Sequence, residues 1–132
     1  MRSEWTGKNL LFRQVHPHHW DGTRPNSVAF LPTPKDKDLL SVDDAALVTA
    51  EASWSHFTQN LGFRSVGTWA VSVEEICDAG GLEARADPLH DNSAHCVIDY
   101  SSVTTKGQKK KRAQILAMAA SGRGCQFAAP AV

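Results

Sequence analysis

Three histidines, His16, His18 and His19, lie close together in the segment VHPHHW. Imidazoles at this density are able to bind a transition metal. In a strand, His16 and His18 would share a face, but Pro17 between them bends the chain. Because no cysteine lies nearby and the usual zinc-site spacings are absent, the pattern favours a polar surface loop. The sequence therefore predicts no metal and no cofactor, and these histidines are the candidate ligands if a metal does bind.

A second group could act on phosphate. Arg13 and His16 fall on the first predicted strand, Ser27 opens the second, and His95 begins the last. If these strands are neighbours, the four side chains gather at one sheet edge. Arginine with histidine and a hydroxyl suits the recognition of a phosphate or nucleotide. Arg13, His16, Ser27 and His95 are therefore the candidate catalytic residues, although enzymatic activity stays open and a non-catalytic role is favoured.

Other catalytic signatures are missing from the sequence. No GxSxG, SxxK or Cys–His motif marks a nucleophile, and neither Gly80-Gly81 nor SGRG at 121–124 matches a phosphate-binding loop. The cysteine count is odd and no CxxC occurs, which favours free thiols in a reducing cytoplasm. Cys77 and Cys96 stand in apolar runs and are expected in the core.

Charge divides the chain sharply. All 14 Asp and Glu residues precede residue 101, and net charge over the whole chain is zero. The basic residues of the segment 101–132 are Lys106, Lys109, Lys110, Lys111, Arg112 and Arg123. Such asymmetry indicates a polyanionic partner or docking of the tail on the body. Lys106 to Arg112 are therefore the residues expected to contact nucleic acid or an acidic partner, and the basic start of their helix is expected to be frayed or held by that partner.

Hydrophobic periodicity predicts the elements that position these groups. The predicted strands are 10–16, 27–31, 65–73 and 95–100. The predicted helices are 43–48, 50–60, 73–79 and 108–121. Residues 1–9, residues 82–94 and the C-terminal RGCQFAAPAV are expected to be irregular, frayed or flexible.

Strands that flank single helices without a regular βαβ rhythm favour an α+β fold. We expect one compact domain with a small, mostly antiparallel sheet and two or three helices. Its parts would be an acidic body, residues 1–100, and a basic C-terminal helix with a flexible tail, residues 101–132. The N-terminus lacks the apolar stretch of a signal peptide and no run is long enough to span a membrane, so a cytoplasmic protein without a membrane partner is expected.

Several motifs carry a family resemblance: FRQVHP at 12–17, SVAFLPTPKD at 27–36, LSVD at 40–43 and TAEASW at 49–54. With SVGTWAVSV, ADPL and AHCVIDY further on, they resemble a group of short bacterial or phage-related proteins without an assigned activity. The resemblance covers about residues 11–100 and implies a bacterial or phage-related origin and one compact domain. The order of elements also looks like compact ADP-ribosyltransferase-type folds, although no late catalytic glutamate is present and only Asp99 stands near the last strand.

The leading functional hypothesis is a small accessory or interaction protein, of the kind encoded in mobile or defence-related loci. Its body would bind a protein partner, and its basic segment would contact nucleic acid or an acidic surface. One alternative is a nucleotide- or phosphate-directed enzyme that uses the Arg/His/Ser pocket. Another is an immunity or antitoxin-like inhibitor whose acidic body mimics a polyanion.

Overall fold

The structure, a computed structural model, describes residues 5–130. A single antiparallel sheet with helices on both faces confirms the predicted α+β fold. Its strands are β1 (Leu10–Gln14), β2 (Leu39–Asp44), β3 (Gly67–Ser72), β4 (Glu83–Ala86), β5 (His95–Asp99) and β6 (Phe127–Ala128). They are ordered β4-β5-β2-β1-β3-β6. The helices are α1 (Ala50–Ser55), continued by a π-helix (His56–Asn60), α2 (Val73–Ala79) and α3 (Lys106–Arg123).

Strand alternation gives the sheet two different faces. One face, which we call the core face, carries Leu11, Val42, Val71 and Ile98, and these pack with α2 and α3 in one buried cluster. The opposite face, the groove face, carries more polar residues. Its side chains include Phe12, Gln14, Ser41, Asp43, Thr68 and His95. Helix α1 covers the β1–β3 part of the groove face, which leaves a gap above β2 and β5.

Helix α3 belongs to the core. Its buried residues are Ala113, Leu116, Ala117 and Ala120. Thr105 caps the helix by accepting a hydrogen bond from the amide of Gln108 at 3.1 Å, so its start is held without an anionic partner. The boundary at residue 100 is therefore a boundary of charge, while the packing runs across it.

The segment 27–31 was predicted to be a strand, and that prediction is wrong. Ser27–Phe30 forms a 3₁₀ turn, in which the side chain of Asn26 accepts a hydrogen bond from the amide of Val28. Ala29 and Phe30 are buried, and the turn packs on α3. Ser27 therefore does not lie on the second strand, as the order of elements that resembles an ADP-ribosyltransferase fold would require.

The predicted helix at 43–48 is also wrong, because the strand β2 ends at Asp44. Asp44 is fully buried there and accepts hydrogen bonds from Trp5 Nε1 at 3.0 Å and Asn9 Nδ2 at 3.2 Å. Those donors make a buried carboxylate tolerable in a strand. Residues 1–9 were expected to be frayed. Trp5 is buried, so that expectation is wrong for residues 5–9. Residues 1–4 lie outside the described part of the chain.

Smaller corrections concern the ends and the edge of the sheet. Glu83–Ala86, expected to be irregular, forms the edge strand β4. Phe127–Ala128, expected in a flexible tail, pairs with β3 as β6. Cys77 is exposed and Cys96 is buried, so only the second lies in the core as predicted. The strands at β1, β3 and β5 and the helices α1, α2 and α3 agree with the sequence prediction to within a few residues.

No helix among residues 5–130 combines the length and apolar character that crossing a lipid bilayer requires.

Candidate functional site

A groove lies between the groove face of the sheet, the π-helix with the residues after it, and the loop 87–92. It contains a half-open cavity of about 230 Å³. Its apolar lining consists of Phe12, Val42, Phe57, Leu61, Phe63 and Leu89. Its polar lining includes Gln14, Ser41, Asp43, His56, Asp91, Asn92 and His95. An apolar cavity with a few converging polar groups is the usual form of a small-molecule site.

The apolar side of the groove is exposed at its rim. Phe63 is 57% exposed, Leu89 46% and Leu61 44%. The rings of Phe57 and Phe63 contact each other with centroids 5.1 Å apart. Gly62 between Leu61 and Phe63 adopts a φ of 77°, a left-handed conformation that suits glycine and that turns the chain back over the groove.

A buried hydrogen-bond network forms the floor of the groove. Gln14 Nε2 donates to Ser53 Oγ at 3.0 Å, and Ser53 Oγ donates to Asp43 Oδ2 at 2.7 Å. Asn92 Nδ2 donates to Asp43 Oδ1 at 2.9 Å. At the other end, Ser65 Oγ donates to Gln14 Oε1 at 2.9 Å. Gln14 Nε2 also donates to Thr68 Oγ1 at 2.8 Å. The network therefore joins three strands, α1 and the 87–92 loop, and it fixes the Asp43 carboxylate at the cavity.

His95 is the cross-strand partner of Asp43 in the β2–β5 ladder and lies beside it on the groove face. Its Nδ1 lies 2.9 Å from the carbonyl oxygen of Asp87 and 3.3 Å from a carboxylate oxygen of the same residue. Its Nε2 lies 3.1 Å from Ser41 Oγ. His95 is therefore held at both ring nitrogens.

Arg13, the first of the predicted catalytic residues, has a structural role. Its Nε donates to the carbonyl oxygen of Ala29 at 2.7 Å and its Nη1 donates to that of Ser41 at 2.9 Å. Burial lowers the pKa of its guanidinium to about 10, partly offset by the nearby carboxylate of Asp36. Arg13 thus ties the 3₁₀ turn to β2 across β1, and these donors are occupied.

The other predicted residues do not all converge. His95 lines the groove together with Arg13. His16 lies in an adjoining depression that Arg13 also lines, where its Nδ1 accepts a hydrogen bond from the amide of His18. Ser27 lies apart from the groove, in a surface depression beside Lys110 of α3. The four residues therefore do not form one pocket.

The histidine cluster exists in space, with the ring of His16 4.7 Å from that of His18 and 5.6 Å from that of His19. Partial desolvation and the neighbouring imidazoles lower the pKa of His16 and of His19, which leaves both rings neutral near pH 7. Within residues 5–130, no group of three or more His, Cys, Asp or Glu side chains is arranged to hold a metal ion.

The predicted basic surface on α3 is partly used within the molecule. Lys109 Nζ lies 2.6 Å from a carboxylate oxygen of Asp38. Arg112 Nε donates to the carbonyl oxygen of Gly80 at 2.9 Å. Arg123, near the end of the helix, makes two hydrogen bonds to the Glu75 carboxylate, at 2.7 and 3.1 Å. Lys106, Lys110 and Lys111 remain exposed.

Sequence reasoning missed most of the groove. Ser41 and Asp43 were hidden because LLSVDD was not recognised as a strand, although its alternation of buried and exposed positions is visible in LLSVD. Gln14, Ser53 and Asn92 carry no local signal, since their role depends on partners far away in the sequence.

Comparison of the chain with protein-family models, with curated proteins and with solved structures finds no match.

Proposed function

We propose that this domain binds a small, partly apolar molecule in the groove between the sheet and the π-helix. The observation that carries the proposal is the half-open cavity whose apolar lining meets a fixed carboxylate, Asp43, at its floor. The cavity is smaller than the range of about 300–1,000 Å³ common for drug-sized ligands, which favours a metabolite-sized compound. The π-helix beside it supports the proposal, because such irregular turns are frequent at functional sites.

The charges of the groove favour a ligand that donates hydrogen bonds or carries positive charge. Asp43 and Asp91 contribute carboxylates, and a carboxylate accepts about four hydrogen bonds, whereas Asp43 receives one on each oxygen. The nearest guanidinium, that of Arg13, already donates to two backbone carbonyls. A phosphate, which the sequence suggested, would meet these two acids beside an arginine whose Nε and Nη1 already hold backbone carbonyl oxygens.

A matched pair of aromatic probes tests this proposal. Benzamidine and phenyl phosphate are similar in size and opposite in charge. In amide NMR spectra, we expect benzamidine to shift the resonances of Phe12, Asn92 and His95, and Asp43→Asn to weaken that binding by roughly 10-fold, as expected for loss of a charge-assisted hydrogen bond. Asp78→Asn, at an exposed acid on α2, is the control. Preferential binding of phenyl phosphate, or shifts confined to other surfaces, would contradict the proposal.

A second candidate function follows from the exposed lysines of α3. We propose that Lys106, Lys110 and Lys111 contact nucleic acid or an acidic protein surface, as in an accessory protein of a bacterial mobile or defence-related locus. Their support is that the described chain gives none of them a carboxylate partner, whereas Lys109 and Arg123 have one. A cytoplasmic location fits this role and the three free cysteines. The antitoxin-like alternative stays a prediction.

Substitution tests this second function without disturbing the fold. We expect the triple Gln variant at Lys106, Lys110 and Lys111 to reduce the slope of log affinity against log salt by nearly 3 for a duplex DNA oligomer and by about 2 for a single-stranded RNA. Lys8→Gln with Lys35→Gln is the control, because both lysines are exposed elsewhere. Polyglutamate is added as a competitor of the bound oligomer. Displacement of the oligomer by polyglutamate would favour an acidic protein surface as the partner, and its retention would favour nucleic acid. Oligomer affinity that does not change with salt concentration, or that is the same in the triple variant and the parent, would exclude these three lysines as the binding surface.

A further inference from the structure

Ser41, His95 and Asp87 form a chain of contacts at the edge of the groove. Asp87 offers His95 Nδ1 a backbone carbonyl at 2.9 Å, and a carbonyl oxygen only accepts. Nδ1 must therefore carry the proton in this contact. In the neutral imidazole, Nε2 is then an acceptor, and the group 3.1 Å from it is the hydroxyl of Ser41. The Ser41 O–H donates to His95 Nε2, which is the relationship between a nucleophile and its general base.

Asp87 also supplies a negative charge behind the imidazole. A carboxylate oxygen of Asp87 lies 3.3 Å from His95 Nδ1. That charge stabilises the imidazolium that forms when His95 takes a proton, while the carbonyl holds the ring orientation. The three residues thus supply a hydroxyl, a base and an orienting acid in the order that acyl-transfer enzymes of unrelated folds share.

The hydroxyl of Ser41 is accessible to a molecule bound in the groove. Ser41 is exposed, although it lies on an inner strand of the sheet, and both Ser41 and His95 line the groove. Asp43 lies two residues further along the same face, where it would hold a donor group of the ligand. A bound molecule therefore reaches Ser41 Oγ from the cavity.

We propose that the groove hydrolyses small esters, with Ser41 as nucleophile, His95 as general base and acid, and Asp87 as the residue that orients His95. Ser41 Oγ attacks the ester carbonyl carbon as its proton moves to His95 Nε2. The carbon–oxygen bond to the alcohol breaks, and His95 returns the proton to the departing oxygen. This leaves an ester of Ser41. Water then attacks that ester, loses a proton through His95, and releases the carboxylic acid and the free Ser41 hydroxyl.

The substrate class rests on the proposed ligand-binding function. The apolar lining accepts the acyl or aryl part, and the carboxylates of Asp43 and Asp91 favour an ester with a cationic or hydrogen-bond-donating group. The same acids disfavour negative charge on the carbonyl oxygen during attack, so esters with a good leaving group react best.

Labelling with a fluorophosphonate tests the nucleophile directly. We expect the whole 132-residue chain to form one adduct, located at Ser41 by peptide mass spectrometry. Its rate should be at least about 100-fold above that of Ser101, an exposed serine without a histidine partner among residues 5–130. Ser41→Ala abolishes the adduct and His95→Gln reduces its rate by a similar factor. Asp87→Ala causes a smaller loss, because the backbone carbonyl that fixes the tautomer remains. The rate of p-nitrophenyl acetate hydrolysis should likewise be lost in Ser41→Ala, be strongly reduced in His95→Gln and be reduced less in Asp87→Ala.

The outcomes separate this inference from the ligand-binding proposal. If Ser41 reacts no faster than Ser101, or if His95→Gln leaves labelling unchanged in a variant whose circular dichroism is intact, the inference is overturned. In that case, benzamidine-induced shifts of the amide resonances of groove residues would still support the ligand-binding proposal. Absence of both labelling and benzamidine binding would overturn both proposals.

Discussion

Ser53 Oγ lies 2.7 Å from Asp43 Oδ2, and this contact joins helix α1 to the strand β2 across the floor of the groove. Ser53 is 1% exposed and also accepts a hydrogen bond from Gln14. One hydroxyl therefore satisfies a donor on one side and an acceptor on the other. The relationship sets both the position of α1 and the orientation of the carboxylate in the proposed ligand site.

Removal of the single hydroxyl group of Ser53 should lower the stability of the fold measurably. We expect Ser53→Ala to lower the free energy of unfolding by about 1–3 kcal/mol, because buried groups of Gln14 and Asp43 each lose a partner. Urea unfolding measures the change. Ser55→Ala, in the same helix and without a side-chain hydrogen bond in the described structure, is the control and should change stability by under about 0.5 kcal/mol. Equal effects of the two variants would show that the network contributes little.

Arg13 should behave as a structural residue. We expect Arg13→Ala to destabilise the fold by roughly 2–4 kcal/mol, since a buried guanidinium that donates to two carbonyls is lost. The stability of Arg13→Lys should lie between those of the parent and of Arg13→Ala, because an ammonium group lacks the planar fork of donors that reaches both carbonyl oxygens. Arg24→Ala is the control, since its ion pair with Asp21 is exposed. Benzamidine binding at a temperature where each variant is folded should be unchanged; a selective loss of binding would assign Arg13 to the ligand site instead.

Glu75 should make stability depend on acid pH. Burial raises the pKa of its carboxyl, but donors from Arg123 and Ser72 outweigh burial and hold the pKa below the ordinary value of 4.5. Stability from this group is therefore complete above about pH 4.5 and is lost as pH falls through the lower, folded pKa. We expect Glu75→Gln to be less stable than the parent at neutral pH, with the difference shrinking toward pH 3.

Urea unfolding between about pH 3 and pH 7 measures that difference. Glu74→Gln, at the exposed neighbouring position, should give a curve parallel to the parent. A constant difference between Glu75→Gln and the parent across this range would mean that the ion pair with Arg123 does not govern the acid limb.

Removal of α3 should unfold the body. The helix supplies Ala113, Leu116, Ala117 and Ala120 to the shared core. We expect a chain that ends at residue 105 to lose its cooperative urea transition and its near-ultraviolet circular dichroism. A chain that ends at residue 129 keeps α3 and β6 and should retain both. If the shorter chain unfolds cooperatively, the acidic body is an independent unit.

Gly67 is placed where β3 meets β6. A Cβ at this position would lie 2.6 Å from the carbonyl oxygen of Phe127. We expect Gly67→Ala to cost about 1–3 kcal/mol and to release β6, because a backbone oxygen leaves no room. Gly107→Ala, with no heavy atom within 4 Å of the new carbon, is the control and should be neutral or slightly stabilising. Protection of the Gln126 and Ala129 amides, which donate to the carbonyl oxygens of Thr68 and Val66, from hydrogen exchange measures the release of β6.

The elements that the sequence predicted well share a strong local pattern. SVGTWAVSV alternates cleanly and became β3, while Thr49 caps α1 through its hydroxyl as the sequence indicates. LLSVDD was missed because two adjacent acids resemble the start of a helix. The strand is stabilised instead by Trp5 and Asn9, which donate to Asp44 from the segment that precedes β1. His95 was found as a candidate, but its partner Ser41 was not, because they are 54 residues apart.

The sequence by itself determined the α+β class, the helices α1, α2 and α3, the strands β1, β3 and β5, and the division of charge between the body and the C-terminal segment. These depend on periodicity, capping and composition, which act over a few neighbouring residues. Only the tertiary structure decided that α3 completes the core, that Arg13 is tied to backbone carbonyls, and that Asp43 and His95 meet in a groove. Those outcomes depend on which distant strands pair, since a polar side chain acquires its role from the partners that folding brings to it.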